Sequence, residues 1–360
     1  MHGLRKLLLA WGSAAAAALL GGAAAVAMAL LAGSATAAGA GDVAGDVASD
    51  VAGGVARESS IPLKSSTSPA SVQVADGVYM VPGAPGEVDA QTLGRIGNSG
   101  FIVGETGVLA IDTGTSHLHG LALLAEIRRI TDKPVRLALI THTRQEFLFG
   151  ATAFRDKGIT VSMQRKAAGL MQSRCERCLK TLRQVLGDDA MRGTAMFKAD
   201  HEYDASHALE SIGRRVRVLY FDHSSGPGDV AILDERTGVL FAGGLLDHQR
   251  IPDVQDSDLD HWTEALQALR TLPLRAIVPG HGPLAPPAAI DTGLRYLAQL
   301  RTRLVALLNS GTALSDVPDA SALPEFARWD QYDTIHRRNA SIIFVRFERE
   351  QMFRQASSPN

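Results

Sequence analysis

Three apolar runs in this chain each end in a histidine beside a polar or Gly-rich turn. Val135 to Ile140 runs into Thr141-His142, Val216 to Phe221 into Asp222-His223, and Ala276 to Val278 into Pro279-Gly280-His281-Gly282. Short β-branched and apolar runs bounded by turn residues read as buried strands. Imidazoles delivered by loops at strand ends are how metal sites are built on sheets, with donors converging at about 2.0–2.2 Å. The pattern predicts a sheet protein whose chemistry sits at one end of its strands. The loop after the first run, Thr143-Arg144-Gln145-Glu146-Phe147, carries a fixed cation and an aromatic ring, which cannot ligate a metal.

The rest of the chain supplies the layers. Val72 to Val81 reads as strand, Asp76-Gly77 turn, strand, and Phe101 to Val103 with Val108 to Asp112 as a second hairpin. His117 to Ile130 has helical spacing of leucines, and Glu146 to Lys157, Lys166 to Leu186, Asp258 to Leu272 and Ile290 to Leu308 are further expected helices. Ile159 to Met163 is an expected strand, and Val230 to Leu233 with Val239 to Ala242 a third hairpin. Hairpins followed by β-α alternation occur twice, which predicts an α+β fold of two mixed sheets face to face with helices outside, a four-layer αββα sandwich. Residues 72–310 form the expected domain, and 311–360 an additional helical extension introduced by Pro318 and Pro324.

The N-terminus is a targeting pattern. Arg5-Lys6, an uncharged Ala/Leu/Gly run from Leu7 and the small residues of Ala35-Thr36-Ala37 read as a secretory signal peptide over 1–37, with an uncleaved inner-membrane anchor as the alternative. Residues 38–71 are Ala, Gly, Asp, Ser and Pro, the composition of a flexible linker. The expected location is periplasmic or secreted. Cleavage would leave 34 basic against 38 acidic residues, which argues against nucleic acid as partner.

The three histidine turns resemble those of the metallo-β-lactamase superfamily. Its first loop reads His-x-His-x-Asp-His, followed by a lone His before Gly-Asp, an Asp after a strand and a final Gly-His. On this chain the first His is His142, the second His position holds Arg144, the Asp position Glu146 and the next His position Phe147. The lone His is His223, ahead of Gly228-Asp229. The bridging Asp is replaced by Gly244, and the last His is His281. The resemblance therefore implies His142, His223 and His281 as metal residues, with room for zero or one zinc ion, and Glu146 and Arg144 as catalytic or substrate-holding groups. Within the superfamily the chain is most similar to the quinoprotein relay system zinc metallohydrolases, exported proteins linked with pyrroloquinoline-quinone-dependent alcohol oxidation. The matching stretches include Asn98-Ser99-Gly100-Phe101-Ile102-Val103-Gly104, Ile111-Asp112-Thr113-Gly114, Phe149-Gly150-Ala151-Thr152-Ala153-Phe154 and Trp329-Asp330-Gln331-Tyr332-Asp333.

Two functions follow as expectations. One is a metal-dependent hydrolase with at most a mononuclear site, in which the metal ionises a water. The other is a non-catalytic accessory protein that holds a small anionic ligand for a periplasmic quinoprotein dehydrogenase, using Arg144 for the anion and Phe147 and Phe149 as a flat wall. Without a metal, Arg144 would pair with Glu146 or an anion. Asp112 is either a brace for the metal loop or a turn residue. Asp222 either orients His223 or is solvated, and Asp247-His248 is the best source of a substitute ligand. Cys175 and Cys178, three apart, are a disulfide or a quiet thiol pair before they are a redox centre. His117, His119, His201 and His207 fit no ligand spacing, and His336 with Asn339 is expected to tie the C-terminal segment to the domain.

Overall fold

A computed structural model describes residues 70–357. The expected signal peptide at 1–37 and nearly all of the linker at 38–71 lie outside them. No helix among the described residues is long and apolar enough to cross a membrane.

Seven strands make one sheet in sequential order: β1 (Val72–Ala75), β2 (Val78–Val81), β3 (Ser99–Val103), β4 (Val108–Ile111), β5 (Val135–Ile140), β6 (Thr160–Gln164) and β7 (His201–Tyr203). β1 to β4 pair antiparallel and β4 to β7 parallel, because only the latter are joined by helical crossovers. Those crossovers are α1 (His117–Ile130), α2 (Gln145–Leu148) with α3 (Ala151–Asp156), and α4 (Arg165–Ala190). The second sheet repeats the plan. β8 (His207–Leu209), β9 (Val216–Tyr220), β10 (Val230–Asp234) and β11 (Val239–Gly243) are antiparallel, and β12 (Ala276–Pro279) joins β11 in parallel after α5 (Leu259–Arg270).

Three apolar clusters account for four layers. Ile102, Leu109, Leu139, Val218, Ile232, Phe241 and Val278 interleave between the sheets. Phe101, Ala110, Ile127, Phe154 and Met171 fill the space between the first sheet and α1, α3 and α4. Leu240, Trp262, Leu266, Tyr296 and Leu300 do the same between the second sheet, α5 and α6 (Ala289–Asn309). The fold is an αββα sandwich. Val317, Phe326, Ile343 and Phe344 from α7 (Val317–Ala320), the turn after it and α8 (Arg337–Ser357) enter this last cluster, so residues beyond 310 share the core of the second sheet.

Two details depart from the sequence reading. The helix expected over Glu146 to Lys157 is broken into α2 and α3 at Phe149-Gly150. Gly150 packs so close to the Thr113 backbone that a Cβ there would sit 1.9 Å from the carbonyl oxygen. The long helix α4 changes direction at Gly187, whose φ of 81° no helix contains, so its first segment ends at Leu186, where the sequence reading ended it. The short strands β7 and β8 were not expected at all. Three residues each, they carry the chain from one sheet to the other through 204–206.

Candidate functional site

The ends of β5, β11 and β12, together with the loop 244–253, enclose one small polar cavity. His142, Arg144, Glu146, Gly244, Asp247, Arg250, Asp253 and His281 line it. The chain puts His142 there by a brace. Asp112, at the end of β4 with a φ of 54°, accepts the Thr141 backbone N–H at 2.9 Å and faces the Thr141 hydroxyl at 2.9 Å. The expected brace is thus present. A left-handed aspartate is strained and persists only where its surroundings hold it. Burial pushes the Asp112 carboxyl up to about 7 against the hydrogen bonds from Thr141.

Thr141 Oγ1 also lies 2.7 Å from His142 Nδ1. With Asp112 ionised, the hydroxyl donates to the carboxylate and accepts from Nδ1–H, so His142 Nε2 carries a bare lone pair. That atom is buried and has no partner. Burial, with the Arg144 cation beside it, pushes the His142 pKa down to about 3, so the ring is neutral at any ordinary pH.

His281 is held differently. Nδ1 is 2.9 Å from Asp247 Oδ1 and Nε2 is 3.2 Å from Glu146 Oε1, and its backbone N–H donates to Asp247 at 2.8 Å. Burial alone would lower its pKa; the two carboxylates overcome this and raise it to about 9. Burial likewise opposes ionisation of Glu146, but His281 and Arg144 hold its carboxyl down at about 2. His281 is therefore an imidazolium between two carboxylates. Asp247, the expected substitute ligand, is used as its clamp.

Arg144 does not pair with Glu146. Its guanidinium turns to Asp253, 2.9 Å from Oδ2 and donating to the backbone carbonyl at 2.8 Å. Burial disfavours the charge, but Asp253, Glu146 and Asp247 raise its pKa further above its ordinary value. Arg338 approaches the same Asp253 carboxylate at 2.7 Å. Asp253 and Arg250 had no sequence signal beyond their place in a polar loop.

His223 stays out of the cavity. Its Nε2–H donates to the Asp256 carbonyl oxygen at 2.6 Å. Asp222 does not orient it; that carboxylate pairs with Lys166 and accepts from the Tyr220 hydroxyl at 3.1 Å. The aromatic wall expected from Phe147 and Phe149 is absent too. Both are fully buried in the core. α2 directs Phe147 inward, where its ring packs 4.4 Å from His142 and 5.1 Å from His281 by centroid. Gly244 is fixed by crowding: a Cβ there would meet Ser225 Oγ at 2.5 Å and His142 Cδ2 at 2.8 Å.

A zinc centre needs three or four donors free to converge. Here both nitrogens of His281 are committed to carboxylates, Nε2 of His223 faces a backbone carbonyl, and a guanidinium lines the cavity. Among the described residues no group of three or more His, Cys, Asp or Glu side chains is placed to hold a metal ion. As arranged, the residues do not fit one.

The remaining sequence candidates have local roles. His117 Nε2 lies 3.0 Å from Asp156. His336 lies 3.2 Å from the Tyr296 hydroxyl and 3.1 Å from the Ser321 carbonyl, and Asn339 donates to Pro252 O at 2.7 Å, tying α8 to the domain as expected. Cys175 and Cys178 are free thiols with sulfurs 3.3 Å apart, and Cys178 lines a cleft together with Thr143, Arg144 and Arg338.

Comparison with known proteins agrees with this architecture. No curated protein matches the chain. Solved structures do. A metallo-β-lactamase from Pontibacter korlensis is 19% identical over 63% of this chain and 98% of its own, with a TM-score of 0.52. The metallo-β-lactamase FIM-1 from Pseudomonas aeruginosa, in its mono-zinc form, is 17% identical over 64% of this chain and 95% of its own, with a TM-score of 0.51. At these identities the likeness is one of fold. The sequence profile of the metallo-beta-lactamase superfamily matches residues 92–281, which run from the loop before β3 to the last histidine of the cavity. With two sheets, their flanking helices and the strand-end histidines all in that order, the chain belongs to the metallo-β-lactamase superfamily.

Proposed function

We propose that this protein is a binding member of the superfamily, without a metal centre, that holds a small anionic ligand. One observation carries the reading. The charge that a metal dication would supply is provided by the chain itself, as the Arg144 guanidinium on Asp253 and the His281 imidazolium between Glu146 and Asp247. Both cations are paired with carboxylates of the chain itself, so neither needs an ion to balance it. Beside it opens a cleft of about 400 Å³, lined by Arg144, Arg250 and Arg338 and by the carboxylates of Glu87, Glu146 and Asp253. That volume suits a small molecule. Arg144 and Arg338 share a single carboxylate, which leaves guanidinium N–H groups over for an anion. The sequence stretches shared with the quinoprotein relay group support a role as accessory to a periplasmic dehydrogenase of that class.

Metal content, measured by mass spectrometry on protein exported to the periplasm and purified without chelator, tests the reading. The expected result is far less than one metal ion per chain, before and after zinc loading. One zinc per chain, lost in His142→Ala, would overturn it in favour of a mononuclear hydrolase.

A further inference from the structure

Glu146 also lines a second, enclosed cavity, between the loop before β3, the start of β3 and the helix α1. The cation of that cavity is Arg95. The guanidinium is half-buried, burial pushes its pKa down, and no hydrogen bond or ion pair engages it among the described residues. A cation withdrawn from water without a partner is costly. The two carboxylates of the cavity are already committed. Glu126 accepts from Arg129 at 2.7 and 2.8 Å and from the Ser71 backbone N–H, while Glu146 faces His281.

Two more donors face the same space. His119 Nδ1 accepts the Thr115 backbone N–H at 3.2 Å, so the neutral ring carries its proton on Nε2. Burial and the neighbouring Arg95 push its pKa down to about 3, which keeps it neutral. The Ser99 hydroxyl has no partner among the described residues. Val81 and Leu123 give the cavity an apolar side. Its free volume is about 30 Å³, more than the roughly 10–15 Å³ that a single water requires.

We propose that this cavity is a binding site for the carboxylate head of a small organic acid, with Arg95 as its cation and His119 Nε2–H and Ser99 Oγ–H as further donors. The site shares only Glu146 with the Arg144 cleft and does not rest on the function proposed for it. The donors are all neutral or cationic, they lack partners, and the volume admits a head group rather than a whole ligand. A carboxylate supplies the missing charge and accepts from all three.

Acetate titrated into the full chain, followed by calorimetry and by the line width of its labelled methyl group, tests this. Saturable binding is expected, weakened by roughly tenfold or more in Arg95→Gln, as loss of a charge-assisted hydrogen bond requires, and by less in Arg95→Lys. Amide hydrogen exchange on the unaltered protein gives a readout independent of any variant's folding: acetate should protect residues 94–99 and 117–123. Absence of saturable binding would overturn the proposal. So would equal binding by Arg95→Gln, chloride binding as tightly as acetate, or protection confined to 143–146 and 250–253, which would place the anion in the Arg144 cleft.

Discussion

Two arginine–aspartate pairs, one buried and one partly buried, stand near opposite ends of β10, and they are built to different standards. At the far end, Arg214 and Asp234 are almost fully buried, and the guanidinium donates to Asp234 Oδ1 at 2.7 Å, Asp234 Oδ2 at 2.5 Å, Val103 O at 3.1 Å and Asp76 O at 3.0 Å. Asp234 also accepts the Thr237 backbone N–H at 3.0 Å. At the cavity end, Arg144 makes two contacts, both to Asp253. Close by, His142 Nε2 and Asp229 Oδ1 are buried with no partner, and Asp112, Asp222 and Gln249 hold left-handed backbone. A satisfied ionic network fixes structure, whereas unsatisfied groups and strained backbone mark where a protein keeps capacity for something else. One fold thus carries a finished end and an unfinished end.

The largest test of this contrast is Asp234→Ala. It leaves the Arg214 charge buried and uncompensated, at an expected cost of about 3–5 kcal/mol. A urea midpoint and slope would measure it. A loss below about 1 kcal/mol, the range of exposed pairs, would mean that the network contributes little and that the contrast is one of geometry alone. Asp253→Asn should cost less, about 1–2 kcal/mol, because Arg144 retains the backbone carbonyl and partial access to water. Equal losses at the two sites would erase the distinction between the ends.

The His281 clamp gives the contrast a pH signature. Its folded pKa of about 9 lies above the ordinary value of 6.5. The stability it contributes is therefore complete below about pH 6.5 and is lost as pH rises through about 9. Glu146, held at about 2 against an ordinary 4.5, contributes above about pH 4.5 and loses that contribution as pH falls towards 2. The Glu146–His281 pair is thus strongest between about pH 4.5 and 6.5. The melting temperature of His281→Gln, subtracted from that of the parent across pH 4 to 10, should show a gap that narrows on the alkaline side. A gap independent of pH would mean that His281 is neutral in the fold and that no clamp exists.

The sheets were legible because their signals are local; the Arg214–Asp234 pair was not, because it joins side chains twenty positions apart. Alternating and apolar runs marked β1 to β6 and β9 to β12, and the Asp-Gly turn at Asp76-Gly77 set the first hairpin. Strands of three residues such as β7 and β8 are too short for periodicity to register; only pairing with β6 and β9 makes them strands. At the cavity, the strand-end pattern pointed to His142 and His281 and the superfamily resemblance implied Arg144 and Glu146, and the structure does bring these four together. It could not show where each side chain turns. Arg144 reaches a partner more than a hundred positions away, and Phe147 turns into the core because α2 is a single turn whose inner face is buried. The Cys pair shows the same limit: the i, i+3 spacing put both sulfurs on one helix face, but not the cleft that Cys178 lines.

That thiol pair yields the smallest expected effect. Hydrogen bonding from Cys175 lowers the Cys178 pKa to about 7, against the burial that would raise it. Cys178 is partly exposed and Cys175 buried, so an alkylating reagent at pH 7 should label Cys178 first and Cys175 only slowly, read by peptide mass. In Cys175→Ser the rate at Cys178 should fall by a few-fold, since a hydroxyl in place of the thiol still donates but fits the longer sulfur contact poorly. Because Cys178 lines the cleft with Arg144 and Arg338, a bound anion there should slow its labelling as well. Simultaneous labelling of both thiols would show instead that α4 opens around Cys175, and would extend the unfinished end of the molecule from the loops into the helix that covers them.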